Sequence, residues 1–154
     1  MGKSIINLSI AEINRVIYFV LKDDHLRTPN TEDEWLKVAA EFLQQLHYPN
    51  RLGSLDGKRI YIQKPENSGS HFYNYKNRCS IVLLALVDAN LKFLYIDVGT
   101  NRRVSDGGVF NKSSLKKAID SNYLNMPVSG VLPSCTIQWI YVILADDVFL
   151  LLHY

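Results

Sequence analysis

The change of hydrophobic period at Arg51 constrains the fold of this sequence more than any other feature. Before it, apolar residues recur every three or four positions; after it, they alternate or run continuously, as in β-strands. The β-prone runs are residues 52–63, 80–88, 92–98 and 138–145. The Asp88-Ala89-Asn90 turn signal predicts an antiparallel hairpin of residues 81–87 and 92–98. The last run predicts a continuous, buried strand.

Two helices are predicted before the first β-prone run, and a third between the last two runs. Residues 9–27 carry apolar side chains at helical spacing: Ile10, Ile13, Val16, Ile17, Val20 and Leu21. Thr31 and Glu34 form a capping box for a second helix that reaches about His47. Residues 111–119 predict a short helix with a basic face, and residues 125–134, with two prolines and a glycine, predict a loop.

The order helix, helix, three strands, helix, strand predicts an α/β domain with a mixed sheet flanked by helices. We divide the chain into an N-terminal helical segment, residues 1–50, and the domain that contains the sheet, residues 51–154. The helical pair precedes the sheet and carries no pattern that indicates chemistry. Any functional residues are therefore expected in the second part.

The composition indicates a folded domain of ordinary charge. Of the 154 residues, 47% are hydrophobic and 21% charged, which excludes a disordered chain. The net charge of +2 neither favours nor excludes a nucleic-acid partner. The two cysteines lack metal-binding or disulfide spacing, and the longest apolar run, residues 137–152, is too short and too interrupted to span a membrane. A soluble intracellular protein without a membrane partner is expected.

Three aspartates stand next to β-prone runs and are candidates for a metal site. Asp56 and Asp106 each precede glycine, and Asp146 follows the run that ends at Ala145. Taken singly, each is more often a turn or capping residue, because Asp-Gly is a common hairpin signal. Taken together, carboxylates at neighbouring strand ends provide the oxygen ligands that divalent cations require, and two such cations catalyse phosphodiester cleavage. The residues alone leave both interpretations open.

Six short motifs follow one another in the second part of the chain. They are Leu-Asp-Gly-Lys-Arg-Ile (55–60), Ile-Gln-Lys-Pro-Glu-Asn-Ser-Gly-Ser (62–70), Tyr-Asn-Tyr-Lys (73–76), Ser-Ile-Val-Leu-Leu-Ala-Leu-Val-Asp-Ala (80–89), Asp-Val-Gly (97–99) and Ser-Asp-Gly-Gly-Val-Phe (105–110). In order and spacing this series resembles the catalytic domain of PIF/Harbinger-type DDE transposases and of the nucleases domesticated from them. The resemblance covers nearly the whole chain from the first helix onward.

The resemblance implies a ribonuclease-H-like fold and a metal-dependent DNA endonuclease. In that fold the first and fourth strands lie side by side and each presents a catalytic carboxylate, which Asp56 and Asp146 match. Asp106 matches a further acid, so the implied ligands of Mg²⁺ or Mn²⁺ are Asp56, Asp106 and Asp146. DNA is the implied partner, together with a separate DNA-binding protein, and the nucleus is the implied location.

Departures from the family pattern lower the expected activity. The final catalytic Glu of the family lies on a helix well beyond the position of Asp146, and this sequence ends at Tyr154. Three leucines, residues 150–152, stand where the family has Pro-Leu, and Arg102 replaces a usual Gly. We therefore expect the last strand and helices of the fold to be missing and little or no cleavage activity. A non-catalytic module that binds DNA or protein, or a fragment without function, are the alternatives.

Basic residues around the acidic motifs predict contacts with DNA. They are Lys58, Arg59, Lys64, Lys76, Arg78, Arg102 and Arg103, interleaved with Tyr61, His71, Phe72, Tyr73 and Tyr75. Clustered cations follow phosphates, and aromatic rings stack on nucleotides, whereas an ordinary solvated face is the alternative interpretation. With the family resemblance, Lys58, Arg102 and Arg103 are the predicted DNA contacts.

Overall fold

The computed structural model describes residues 3–74, 76–100 and 106–146. In this part of the chain the helices are α1 (Lys3–His25), α2 (Glu32–Leu46), α3 (Asp106–Lys112) and α4 (Ser114–Asp120). The strands are β1 (Arg51–Tyr61), β2 (Ser80–Val87), β3 (Phe93–Thr100), β4 (Ser129–Val131), β5 (Gln138–Ile140) and β6 (Val142–Ala145). Among the described helices, none is long and apolar enough to cross a membrane.

The main sheet contains four strands in the order β3-β2-β1-β6. β2 runs antiparallel to both of its neighbours, β1 and β3, whereas β6 runs parallel to β1. Helices flank this mixed sheet, an arrangement that is consistent with a ribonuclease-H-like fold. The predicted α/β fold class is therefore confirmed.

A buried aspartate closes the hairpin of β2 and β3. The Oδ1 atom of Asp88 accepts hydrogen bonds from the backbone N–H groups of Asn90 and Lys92, at 2.8 and 2.9 Å. An Asp side chain that binds backbone groups further along the chain stabilises a tight turn. The hairpin predicted for residues 81–87 and 92–98 is confirmed, with strands that span Ser80–Val87 and Phe93–Thr100.

The hydrophobic core lies between one face of the main sheet and helices α2, α3 and α4. β2 contributes three completely buried side chains to it: Val82, Leu84 and Leu86. Trp35 and Phe42 of α2 pack in the same core. The Trp35 indole Nε1 also donates a hydrogen bond of 2.9 Å to the carbonyl oxygen of Leu124. This bond links α2 to the segment that follows α4.

The capping box predicted for α2 is present in altered form. The Thr31 hydroxyl accepts a hydrogen bond from the Glu34 backbone N–H, as predicted. The Glu34 carboxylate, however, accepts from the backbone N–H of Asn30, one residue before the cap, at 3.0 Å. This hydrogen bond, together with the nearby Arg27 guanidinium, lowers the pKa of Glu34. Side chains thus satisfy two backbone donors at the start of the helix.

Three predicted elements differ from the observed ones. The helix predicted over 111–119 is divided into α3 and α4, because the Ser113 side chain caps α4 by accepting from the Lys116 N–H. The strand predicted over 138–145 is divided at Tyr141 into β5, which pairs with β4, and β6, which joins the main sheet. β4 itself lies within the segment predicted as a loop. In each case a tertiary partner or a local cap overrides the local sequence pattern.

Candidate active site

Asp56 lies in the middle of β1, the strand between β2 and β6. Its backbone pairs with Ala85 of β2, and its side chain is exposed. The Asp56 Oδ1 atom accepts a hydrogen bond of 2.7 Å from the backbone N–H of Gly57. The Asp-Gly pair is therefore part of a strand, and the alternative interpretation of this motif as a hairpin turn is wrong.

Asp146 directly follows β6, and the parallel pairing of β6 with β1 brings it beside Asp56. The register ends at the pair of Leu55 and Ala145, so Asp56 and Asp146 are the residues that directly follow this pair, with Asp146 one position beyond the end of β6. Neighbouring strands lie about 4.8 Å apart, and successive side chains alternate between the two faces of a sheet. Because Leu55 is buried on the helix side, Asp56 lies on the opposite, exposed face, and Asp146, which follows Ala145, is exposed as well. The strands that carry the two acids are neighbours, as predicted; the catalytic role of the acids stays a prediction.

Asp106, the third predicted acid, is the first residue of α3. β1 and β3 are both antiparallel to β2, and β6 is parallel to β1, so β1, β3 and β6 run in the same direction. The chain therefore leaves β3 at the end of the sheet where β6 also ends. The Asp106 side chain lies outside the described part of the structure, and so do Arg102 and Arg103 entirely. The roles predicted for these three residues therefore stay predictions.

The pair of Asp56 and Asp146 fits a hard divalent cation. Both side chains offer carboxylate oxygens, and two like charges at neighbouring positions are stabilised by a cation between them. Mg²⁺ is commonly bound through one or two carboxylates, with water and substrate phosphate completing its coordination. Within the described ranges, no group of three or more His, Cys, Asp or Glu side chains is arranged to hold a metal ion. Of the three predicted ligands, the side chains that the structure describes are those of Asp56 and Asp146.

Lys58 is a predicted DNA contact that lies close to the acid pair. It follows Asp56 by two positions on β1, so both side chains project from the exposed face of the sheet, about 7 Å apart along the strand. On the same face, β2 presents the half-buried side chains of Leu83 and Ala85. A Lys side chain at this position is of the type that contacts phosphates, and its contact with DNA stays a prediction.

Paired cations and tyrosines lie at the end of β1 and in the loop that follows it. The Arg78 guanidinium lies 5.6 Å from the centroid of the Tyr61 ring, and the Lys64 Nζ lies 5.5 Å from that of Tyr73. The two tyrosines remain 55% and 40% exposed. The backbone of Tyr61 pairs with Ser80, and that of Tyr73 pairs with Cys79, so the two tyrosines lie on either side of the segment 79–80. We call Tyr61, Lys64, Tyr73 and Arg78 the cation–tyrosine surface.

The sequence patterns do not single out Asn74, which positions this surface. Asn74 is buried, and its Oδ1 atom accepts from the backbone N–H groups of Lys76 and Arg78, at 2.9 and 3.1 Å. Its Nδ2 atom donates to the Ser80 hydroxyl at 3.2 Å. These bonds close the loop that carries Arg78. The available signal was an Asn at the start of a short loop, where such side chains bind nearby backbone groups.

Comparison with known proteins agrees with this geometry. The sequence model of the DDE superfamily endonuclease family matches residues 55–153, a range that contains Asp56, Asp106 and Asp146. No curated protein and no solved structure matches the chain. The matched range is more than half of the chain, and it includes β1 from Leu55 onward, all of β6 and both aspartates of the pair. The chain therefore belongs to the DDE superfamily endonuclease family.

Proposed function

We propose that this chain derives from a PIF/Harbinger-type transposase and cleaves DNA phosphodiester bonds with a divalent cation. The observation that supports the proposal is the parallel register of β1 and β6, which ends at the pair of Leu55 and Ala145, directly before Asp56 and Asp146. Membership of a family of endonucleases supports the same reaction class. The Harbinger subtype rests on the six motifs between residues 55 and 110.

In this proposal, Asp56 and Asp146 are the residues that would hold the cation. A bound Mg²⁺ or Mn²⁺ supplies Lewis acidity toward the scissile phosphate and an activated water. The hydrogen bond from the Gly57 N–H holds the Asp56 carboxylate in one orientation. Lys58, on the same face, binds the phosphate backbone and offsets its charge.

We expect cleavage to be slow. The described site provides two carboxylates, and fewer ligands hold two cations less firmly. We propose Asp106 as a third ligand, and Arg102 and Arg103 as further contacts with the DNA backbone. A nuclear location and a separate DNA-binding partner protein are proposed from the same family resemblance.

Metal binding and plasmid nicking test this function. Millimolar Mn²⁺ is expected to raise the Tm of the purified chain by a few degrees, because a cation that binds the folded state stabilises it. The same Mn²⁺ is expected to support slow nicking of a supercoiled plasmid, and EDTA to stop it. An unchanged Tm together with an intact plasmid after overnight incubation would contradict the proposal.

Metal-independent DNA binding is a second candidate function, and the cation–tyrosine surface favours it. Exposed aromatic rings stack on unpaired bases, and the neighbouring cations neutralise phosphates. The sequence from residue 58 to residue 78 contains one acid, Glu66, against the following cations: Lys58, Arg59, Lys64, Lys76 and Arg78. This surface therefore fits a single-stranded segment of DNA.

Removing one cation–tyrosine pair tests this second function. Tyr61→Ala with Arg78→Ala is expected to weaken the binding of a single-stranded oligonucleotide in EDTA by about tenfold or more, since stacking contributes about 1–3 kcal/mol per base. Fluorescence anisotropy over a series of salt concentrations measures this loss. The control, Tyr123→Ala with Lys117→Ala, removes an exposed tyrosine and an exposed cation from the helical side. Equal losses in both variants would rule out a specific surface.

A further inference from the structure

Helix α1 carries apolar side chains that the described part of the chain leaves exposed. The helix spans 23 residues and begins at Lys3, six residues before the start predicted from the sequence. Every side chain from Ile5 to Leu21 is exposed. The chain is joined to the sheet beyond the helix, where the Thr28 hydroxyl donates to the Leu94 carbonyl oxygen at 2.7 Å. Helices gain most of their stability by packing an apolar face. α1 therefore presents a face that a partner is needed to cover.

The apolar face of α1 has the spacing of a coiled coil. We define the α1 seam as Ile6, Ile10, Ile13, Ile17 and Val20. Successive members are four, three, four and three residues apart, which places Ile10 and Ile17 at the a positions of a heptad and the others at d. Their exposed fractions lie between 50% and 62%. A period of 3.5 residues matches the packing of a second helix of the same period.

The positions that flank the seam favour another copy of this helix as the partner. In a coiled coil, residues at e and g lie beside the seam and select the partner by charge. In the first two heptads of α1 these positions are all uncharged: Asn7, Ser9, Asn14 and Val16. The charged side chains of Glu12 and Arg15 lie at c and f, away from the seam. Between Ile6 and Val20, two copies of α1 therefore approach without repulsion between like charges at these positions. The next a positions outward, Lys3 and Asp24, are charged, which limits the seam to its five residues.

We propose that α1 associates with α1 of other copies of this chain in a short coiled coil. Ile at both a and d positions favours three helices over two. The seam is about 21 Å long at 1.5 Å per residue, so its interface is small beside the roughly 1,600 Å² of a stable complex. The association is accordingly in the micromolar range. It is independent of the proposed nuclease function, and it gathers several acid pairs into one assembly.

Sedimentation velocity of the full chain tests the association. Over a roughly hundredfold range of protein concentration, the mean mass is expected to rise from one chain toward three. Ile13→Lys with Ile17→Lys places two charges in the centre of the seam. This variant is expected to stay monomeric, with an association constant lower by at least roughly a hundredfold.

The matched control is Leu8→Lys with Tyr18→Lys, which adds the same two charges to α1 at f and b positions, outside the seam. It is expected to associate like the parent chain. All four replaced side chains are exposed, so at a protein concentration at which the parent chain is monomeric both variants are expected to unfold cooperatively at the parent Tm. A monomeric parent chain, an associating seam variant, or an equal loss of association in the control would overturn the proposal.

Discussion

Asp56→Asn is expected to abolish Mn²⁺-dependent nicking and to remove the increase in Tm that Mn²⁺ causes. The substitution keeps the size of the side chain and an oxygen that can accept from the Gly57 N–H, but it removes the negative charge. Even the loss of a residue that only hydrogen-bonds a metal ligand typically lowers metal affinity or activity about 10–100-fold. A loss of at least about 100-fold is therefore expected for the ligand itself, measured as the initial nicking rate.

The matched control for this substitution is Asp97→Asn in β3. Asp97 pairs with Leu84, whose side chain lies on the helix side of the sheet, so it belongs to the face opposite the acid pair. The Tyr95 hydroxyl donates to the Asp97 Oδ2 atom at 3.5 Å, and an Asn oxygen can accept the same hydrogen bond. Asp97→Asn is expected to keep both the nicking rate and the Tm increase. Nicking by Asp56→Asn at the parent rate would show that the cleavage arises elsewhere.

Trp35→Ala is expected to have the largest effect on stability. Trp35 is completely buried in the core, and replacing such a side chain by alanine typically costs about 3–5 kcal/mol. The substitution also removes the hydrogen bond to the Leu124 carbonyl oxygen, which links α2 to the segment after α4. In a chain of this length the loss corresponds to a decrease in Tm of roughly 10 °C. Thermal unfolding followed by circular dichroism measures it.

Trp139 provides the comparison within the same chain. It lies in β5 and is 58% exposed. Trp139→Ala is expected to change the free energy of unfolding by no more than about 0.5 kcal/mol, because substituting an exposed side chain removes few contacts. If both tryptophan variants lost the same stability, the core would not be centred on α2 and β2.

The elements that local periodicity specifies were predictable from the sequence. α2, β1 and the β2–β3 hairpin were predicted within a few residues, because their apolar spacing and turn residues act over short distances. The division of residues 138–145 was not predictable. Both halves are equally apolar, and each is placed by its pairing, β5 with β4 and β6 with β1. Ser113 is similarly ambiguous, since serine is acceptable inside a helix and is also a favourable cap.

The candidate site was predictable in part. Asp56 and Asp146 were selected by their positions relative to predicted strands and by the family resemblance, because strand order cannot be derived from composition or spacing. Their proximity follows from the observed register of β1 and β6. The pairing of Arg78 with Tyr61 depends on a loop that Asn74 closes. Such contacts arise from backbone geometry and leave no periodic signal in the sequence.

The parallel pairing of β1 with β6 also determines when the acid pair forms during folding. β1, β2 and β3 pair with their neighbours in the sequence, whereas β6 must reach β1 from the far end of the domain. Contacts between distant parts of a chain carry a larger loop-closure cost and slow folding. On the ribosome, Asp146 emerges after all the other strands of the main sheet have been synthesised. The proposed cation site is therefore the last part of the main sheet to form in the nascent chain, and the proposed cleavage reaction requires the completed sheet.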